Sequence, residues 1–380
     1  MTRVLSRWVR HGVCLIALAA ADCARAEDHP NYPQNRPKRT KPVAADATHR
    51  VYPDRPRQII RGFGFEIQSD SIGSANKGLP DAPTSVPHDL VPAERQRFFT
   101  EMLRGFRYCR LAGGLYWRGT DAEGRYLQPR WPEQLKEIRE MLRVAGIEGV
   151  SFEYWSPAPY WKANRSYVGP VKETNLLRCY GPDFANDPEY HGDTNRFLSD
   201  FAQAMCRDIL TLKSNGIPVL KWGLQNEPRA WNHGPDYSRC GYTRDQYVTA
   251  WRAVAPAIRA LDPAIQIITD SGKLKYVEPL YDDPATRPLI DALVLHHVGS
   301  DANVIRETVR AARQRFGTNL PLYQNEYEYL WGPTTPDRCM NTVLHVMNWF
   351  QQGDAPTWYW IHALKPIGNA EASGYSLGFW

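Results

Sequence analysis

The sequence predicts an α/β protein folded as a (β/α)8 TIM barrel. Three observations predict it. Eight short apolar runs recur between residues 62 and 361. Amphipathic stretches at helical spacing separate most of them, which is the pattern of buried parallel strands with crossover helices. The span, roughly 300 residues, suits eight such units closed into one barrel. The runner-up, a doubly wound open sheet, loses its nucleotide-binding versions, because no GxGxxG follows the first run and no GxxxxGK[ST] occurs anywhere.

The strands are expected at 62–68, 105–111, 149–155, 219–224, 265–269, 292–295, 320–324 and 357–361. Helices are expected at 92–103, 132–145, 194–214, 243–261, 301–316 and 336–352. Pro92 opens the first at an N1-like position, Gly146 stops the second, and Asn215-Gly216 stops the third. The segment 156–193 is a long loop rich in Pro, Tyr, Trp, Asn and Gly, and long loops in compact domains are usually functional. After the last strand, residues 362–380 carry Pro366, Gly368, Gly374 and Gly378 and read as no eighth helix, so the barrel either closes without it or stops short.

Residues 1–26 read as a secretory signal: Arg3, Arg7 and Arg10 precede a short apolar run, and Ala24-Arg25-Ala26 offers a cleavage pattern. The mature chain is therefore expected outside the cytoplasm, secreted or periplasmic, starting after Ala26. Residues 27–48 read as a flexible leader, and 49–380 as one barrel domain. No later run reaches the length of a membrane span. The 380 residues are 43% hydrophobic and 23% charged, which excludes wholesale disorder. The net charge of +5 falls to +2 once residues 1–26 go, too mild to argue for nucleic acid. Aromatics reach 12%, with 13 Trp and 20 Tyr, which suits either a large core or a ligand surface of flat apolar faces. Five cysteines remain in the mature chain; Cys109 and Cys206 read as buried thiols, and Cys179 with Cys240 as the best candidate disulfide. No Cys or His cluster has zinc-site spacing, and no cofactor is expected.

Catalytic groups of such barrels sit at strand C-terminal ends. The fourth run leads into Gln225-Asn226-Glu227-Pro228 and the seventh into Gln324-Asn325-Glu326. Strands four and seven face each other, so Glu227 and Glu326 are expected to meet across the barrel mouth. Two facing carboxylates, one protonated and one ionised, are what glycoside hydrolysis needs. Asn226 is placed to hydrogen-bond a sugar hydroxyl. Glu328 competes with Glu326, because strand alternation puts both on one face. Arg110, Trp155, Tyr160, Trp161, Trp231, the His296-His297 pair, Tyr327, Trp331, Trp358 and Trp360 lie near strand ends or in adjacent loops and together suit a sugar cleft. The His pair lacks a third metal ligand at useful spacing.

These residues resemble the clan A glycoside hydrolases, and most nearly family 30, which holds glucosylceramidase-like enzymes, β-1,6-glucanases and glucuronoxylanases. The likeness rests on Gln58 to Gly64, on Arg110-Leu111, on Trp155-Ser156-Pro157-Ala158-Pro159-Tyr160-Trp161-Lys162-Ala163-Asn164, on Gly223 to Pro228 and on Gln324-Asn325-Glu326. It implies a retaining mechanism with Glu227 as acid/base and Glu326 as nucleophile, a carbohydrate substrate, and a sugar subsite lined by Arg110, Asn226, His296 and Trp360. Two departures stand out. His296-His297-Val298 replaces a usual His-x-Tyr, and the accessory β-sandwich of the family is reduced here to at most a remnant at 49–60. A catalytically inactive carbohydrate-binding barrel is the alternative.

Overall fold

The structure is a computed structural model, and it describes residues 52–55, 58–67, 92–115, 117–129, 133–169, 174–228, 238–269, 274–296, 302–327, 336–353, 355–360 and 363. The chain divides into two units, Met1–Arg57 and Gln58–Trp380. The first is described only at a turn, where Arg55 N donates to the Tyr52 carbonyl. The expected signal, leader and missing last helix fall outside the described residues, apart from Ala363.

The second unit contains one eight-stranded parallel sheet. Its strands are β1 (Gly62–Ile67), β2 (Phe106–Gly113), β5 (Gly149–Tyr154), β6 (Val219–Gly223), β7 (Gln266–Ile267), β8 (Leu293–Leu295), β9 (Leu322–Tyr327) and β10 (Thr357–Trp360). A small hairpin, β3 (Gly119–Thr120) with β4 (Leu127–Gln128), follows β2. The sheet order is β7-β6-β5-β2-β1-β10-β9-β8. Its two edges meet at a parallel bridge between Ile268 and Ala292, with Asp291 N donating to the Ile267 carbonyl. The sheet is therefore closed, and the open-sheet alternative is excluded. No strand forms at 58–61, and among the described residues no second sheet larger than the β3–β4 hairpin occurs.

The helices follow the capping logic of their sequences. They are α1 (Pro92–Arg97), α2 (Gln134–Ala145), α3 (Thr194–Ser214), α4 (Arg244–Leu261), α5 (Glu278–Asp282), α6 (Ala302–Phe316) and α7 (Pro336–Gly353). Gly146 ends α2 at φ 72, a left-handed geometry that glycine adopts without cost. Asp193 caps α3 by accepting from Arg196 N, and Thr243 forms a reciprocal capping box with Gln246 at α4. Two details depart from the periodicity. The first helix passes into a π-helical turn at Phe98–Met102, and α5 was not legible.

The long loop is ordered by its own polar contacts. Arg178 pairs with Asp187, and the Tyr160 ring lies under the guanidinium groups of Arg125, Arg165 and Arg178 at 4.4, 5.2 and 5.2 Å. The expected Cys179–Cys240 disulfide is absent. Both are buried free thiols, and burial and their mutual proximity push the Cys179 thiol up.

Candidate active site

The site is built at the C-terminal ends of the strands around Arg110, which is fully buried in β2. A guanidinium carries five N–H donors, and all five are used. Nε and Nη2 donate to the two oxygens of Glu153 at 2.9 Å each. Nη2 also donates to Asn226 Oδ1 at 2.7 Å, which fixes the orientation of that amide. Nη1 donates to both Glu66 and Glu326. The Trp155 ring lies 4.5 Å from the guanidinium carbon.

One cation thus serves three carboxylates, from β1, β5 and β9. Burial alone would lower the Arg110 pKa, but Glu153, Glu66 and Glu326 hold it well above its usual value. Burial pushes the Glu66 carboxyl well above the carboxylate range; Arg110 pulls it down, and Glu326 and Glu153 push it further up.

The seventh barrel strand supplies two consecutive polar groups, against strict alternation. β10 pairs Trp358 with Gln324 and Trp360 with Tyr327, so β9 uses one extra residue in that interval. This bulge aims both Asn325 and Glu326 at the site. Asn325 Nδ2 donates to Glu153 at 2.6 Å, and its Oδ1 faces His296 Nε2 at 2.8 Å.

Glu227 lies just beyond β6. Asn226 N donates to the Tyr154 carbonyl at 2.7 Å, and Gln225 Nε2 donates to the Trp155 carbonyl at 2.8 Å, so the loop is pinned to the end of β5. Glu227 has φ 41, a left-handed backbone that a non-glycine residue adopts at a cost. Its Oε1 lies 3.1 Å from His296 Nδ1, and Glu326 Oε2 lies 3.5 Å from the same nitrogen. Single oxygens of Glu227 and Glu326 and one His296 nitrogen all lie within 4.8 Å of one another. With Asn325 Oδ1 accepting from Nε2–H, Nδ1 accepts a proton from Glu227 when the ring is neutral and donates to it when the ring is charged. Burial lowers the His296 pKa, but Glu326 and the Glu227 bond outweigh it and leave the value raised. Both ring nitrogens are committed to these bonds, so the trio reads as a proton-sharing group and not as an ion cage.

Glu227, Glu326, Arg110, Asn226, His296 and Trp155 are brought together. Trp360 is half-buried beside them, packed edge-on against Tyr327. Several of the rim aromatics are buried rather than open to a cleft. Trp155, Trp161 and Trp358 are at most 3% exposed, and Tyr327 stacks on His345 inside the core. Trp161 Nε1 donates to the Arg125 carbonyl and Trp358 Nε1 to His345. Trp161 packs against Phe197 and Phe201 of α3, and Trp358 against His345 of α7. Trp231, His297, Val298, Glu328 and Trp331 lie outside the described residues.

Glu66 and Glu153 escaped the sequence reading. Their signal was a lone acid inside each apolar run, Phe65-Glu66-Ile67 and Phe152-Glu153-Tyr154, since a buried acid requires a partner.

No family model matches the sequence, and no curated protein matches it. Solved structures do. An endo-β1,6-glucanase matches at TM-score 0.57 and 18% identity, over 82% of this chain and 68% of that one. The family 30 subfamily 8 xylanase of Clostridium acetobutylicum matches at 0.51 and 18%, over 80% of this chain and 64% of that one. The catalytic domain of a family 30 xylanase from Talaromyces cellulolyticus matches at 0.53 and 14%, over 80% and 68%. The chain thus spans under two thirds of the length of the Clostridium enzyme. At this identity the likeness establishes the fold alone, a (β/α)8 barrel.

Proposed function

We propose that this chain is a secreted retaining β-glycoside hydrolase acting on an oligosaccharide, polysaccharide or glycoconjugate. The observation that carries the reading is the 4.8 Å limit between oxygens of Glu227 and Glu326. Retaining enzymes set their carboxyl groups about 5–5.5 Å apart, whereas inverting enzymes leave about 6.5–9.5 Å for a water.

Glu326 attacks the anomeric carbon as the Glu227–His296 pair delivers its proton to the leaving oxygen. A glycosyl ester on Glu326 results. Glu227, now ionised, takes a proton from water, which attacks the same carbon and releases the sugar with net retention. Arg110 holds Glu326 in place and stabilises its carboxylate as it departs. Asn226, positioned by Arg110, and Trp360 contact the sugar. The substrate is carbohydrate, with no cofactor, and signal cleavage after Ala26 delivers the enzyme outside the cytoplasm. Among the described residues no helix is long and apolar enough to cross a membrane.

A panel of aryl β-glycosides tests this. Wild type should release the phenol, and Glu326→Ala should abolish release. Glu227→Ala should retain turnover only where the leaving group needs no proton. Release that survives Glu326→Ala, or a panel left wholly uncleaved by wild type, would refute the assignment; the second result would favour a binding barrel.

A further inference from the structure

Glu227 shares a proton with the His296 ring, and that ring is held from its far side. Glu153 takes Nε–H and Nη2–H of Arg110 on its two oxygens, so it meets its other neighbours as an acceptor. Asn325 approaches Glu153 Oε1 at 2.6 Å, and only its amide nitrogen can donate there. The Asn325 carbonyl is thereby turned to His296 Nε2, 2.8 Å away. A carbonyl oxygen accepts and cannot donate, so that nitrogen carries a hydrogen. Each link fixes the next, from β5 through β9 to the ring just beyond β8.

We propose that Asn325 is a positioning residue acting through His296: clamped by Glu153, its carbonyl keeps a hydrogen on Nε2, and this retains the proton shared by Nδ1 and Glu227. This rests on the glycosidase reading above, in which that proton goes to the leaving oxygen.

Nδ1 lies 3.1 Å from Glu227 Oε1. While the shared proton is present, both atoms are satisfied whichever of them holds it. Once it is gone, the Nδ1 lone pair faces an ionised carboxylate. A free imidazole would relieve this by carrying its remaining hydrogen on Nδ1. Asn325 opposes that exchange, because its carbonyl would then face a bare Nε2. The pair without its proton is therefore raised in energy. It keeps the proton to higher pH for the first step, and it makes Glu227 a stronger base when water attacks the ester.

Among the described residues, the charged groups facing this pair come from several elements. Glu227 follows β6, Glu326 of β9 lies 3.5 Å from Nδ1, and Arg110 of β2 opposes charge on the ring. Glu153 of β5 reaches the ring through Asn325, and Arg239, ahead of α4, acts on Glu227. A neutral replacement of Asn325 leaves all of them in the chain.

The test uses the full chain and phenyl β-glycosides, whose leaving group needs the proton. In Asn325→Leu the carbonyl is gone, and the ring hydrogen is free to move to Nδ1. The alkaline limb of kcat/KM should move to lower pH by about one unit relative to wild type. An unmoved limb, whatever the loss in rate, or a limb moved upward would overturn the proposal. Should the variant fail to fold, wild type labelled with 15N-histidine decides. In alkaline solution the His296 ring, identified as the one missing from His296→Gln, should show hydrogen on Nε2 and a bare Nδ1; hydrogen on Nδ1 would overturn the proposal. That spectrum needs no turnover. Hydrolysis surviving Glu326→Ala would instead overturn the enzyme assignment, so the two failures are distinguishable.

Discussion

Replacing Arg110 by Met tests the site's electrostatics most severely. The side chain is fully buried and makes five hydrogen bonds to four residues. Methionine fills comparable space but donates none of them. Burial already pushes the Glu66 carboxyl up. Glu153 and Glu326 lose their cation while buried. Breaking a buried pair by removing one partner costs about 3–5 kcal/mol, a large fraction of the roughly 5–15 kcal/mol that holds a domain together. Urea unfolding at neutral pH measures the loss, and a loss below about 1 kcal/mol would refute the argument that this guanidinium neutralises buried anions.

Three further outcomes follow from the same geometry. A Cβ on Gly223 would lie 2.9 Å from Glu153 Cγ and 3.2 Å from Ile268 Cγ1, so Gly223→Ala should cost about 1–3 kcal/mol and lower kcat by displacing the Arg110 counter-ion; unchanged kcat on the aryl glycosides would contradict this. Lys162 is wholly buried, with Nζ donating to Ser156 Oγ at 3.0 Å and to the Arg239 carbonyl, and burial lowers it from 10.5 to about 8. The unfolded chain then holds more protons between those values, so the Lys162 contribution turns more favourable as pH rises from 8 towards 10.5, by about 3 kcal/mol at about 1.4 kcal/mol per tenfold change. The stability gap between wild type and Lys162→Met should be flat below pH 8 and move in favour of wild type above it, as read by denaturant titration. Cys109, Cys179 and Cys240 are buried thiols, the last pushed up to about 11 by burial, so iodoacetamide should label them only after unfolding; rapid native labelling seen by mass spectrometry would contradict this.

The barrel was legible because its signals are local. Apolar runs, Pro92 and Gly146 each act within a few residues, and the strands form within one to three residues of where the runs lie. Glu227 and Glu326 were legible because strand order alone sets them opposite each other. The rest depends on register. Glu66 pairs with Arg110, and Arg110 with Ser151 two residues before Glu153, and no sequence spacing reveals that alignment. The bulge at Asn325 and Glu326 breaks the alternation on which Glu328 was weighed. The aromatics misled for an energetic reason. The layer between strands and helices must be filled, and indole rings with a carbonyl or histidine partner for their N–H fill it well.

The account stands or falls on which side chain becomes bonded to sugar. Incubation with a 2-deoxy-2-fluoro glycosyl fluoride, proteolysis and peptide mass spectrometry locate that bond. A label on Glu326, in the peptide that carries Tyr323 and Asn325, is the predicted result. A label on Glu227 or Glu66, or a hydrolysed reagent that never leaves a covalent mark, would contradict it.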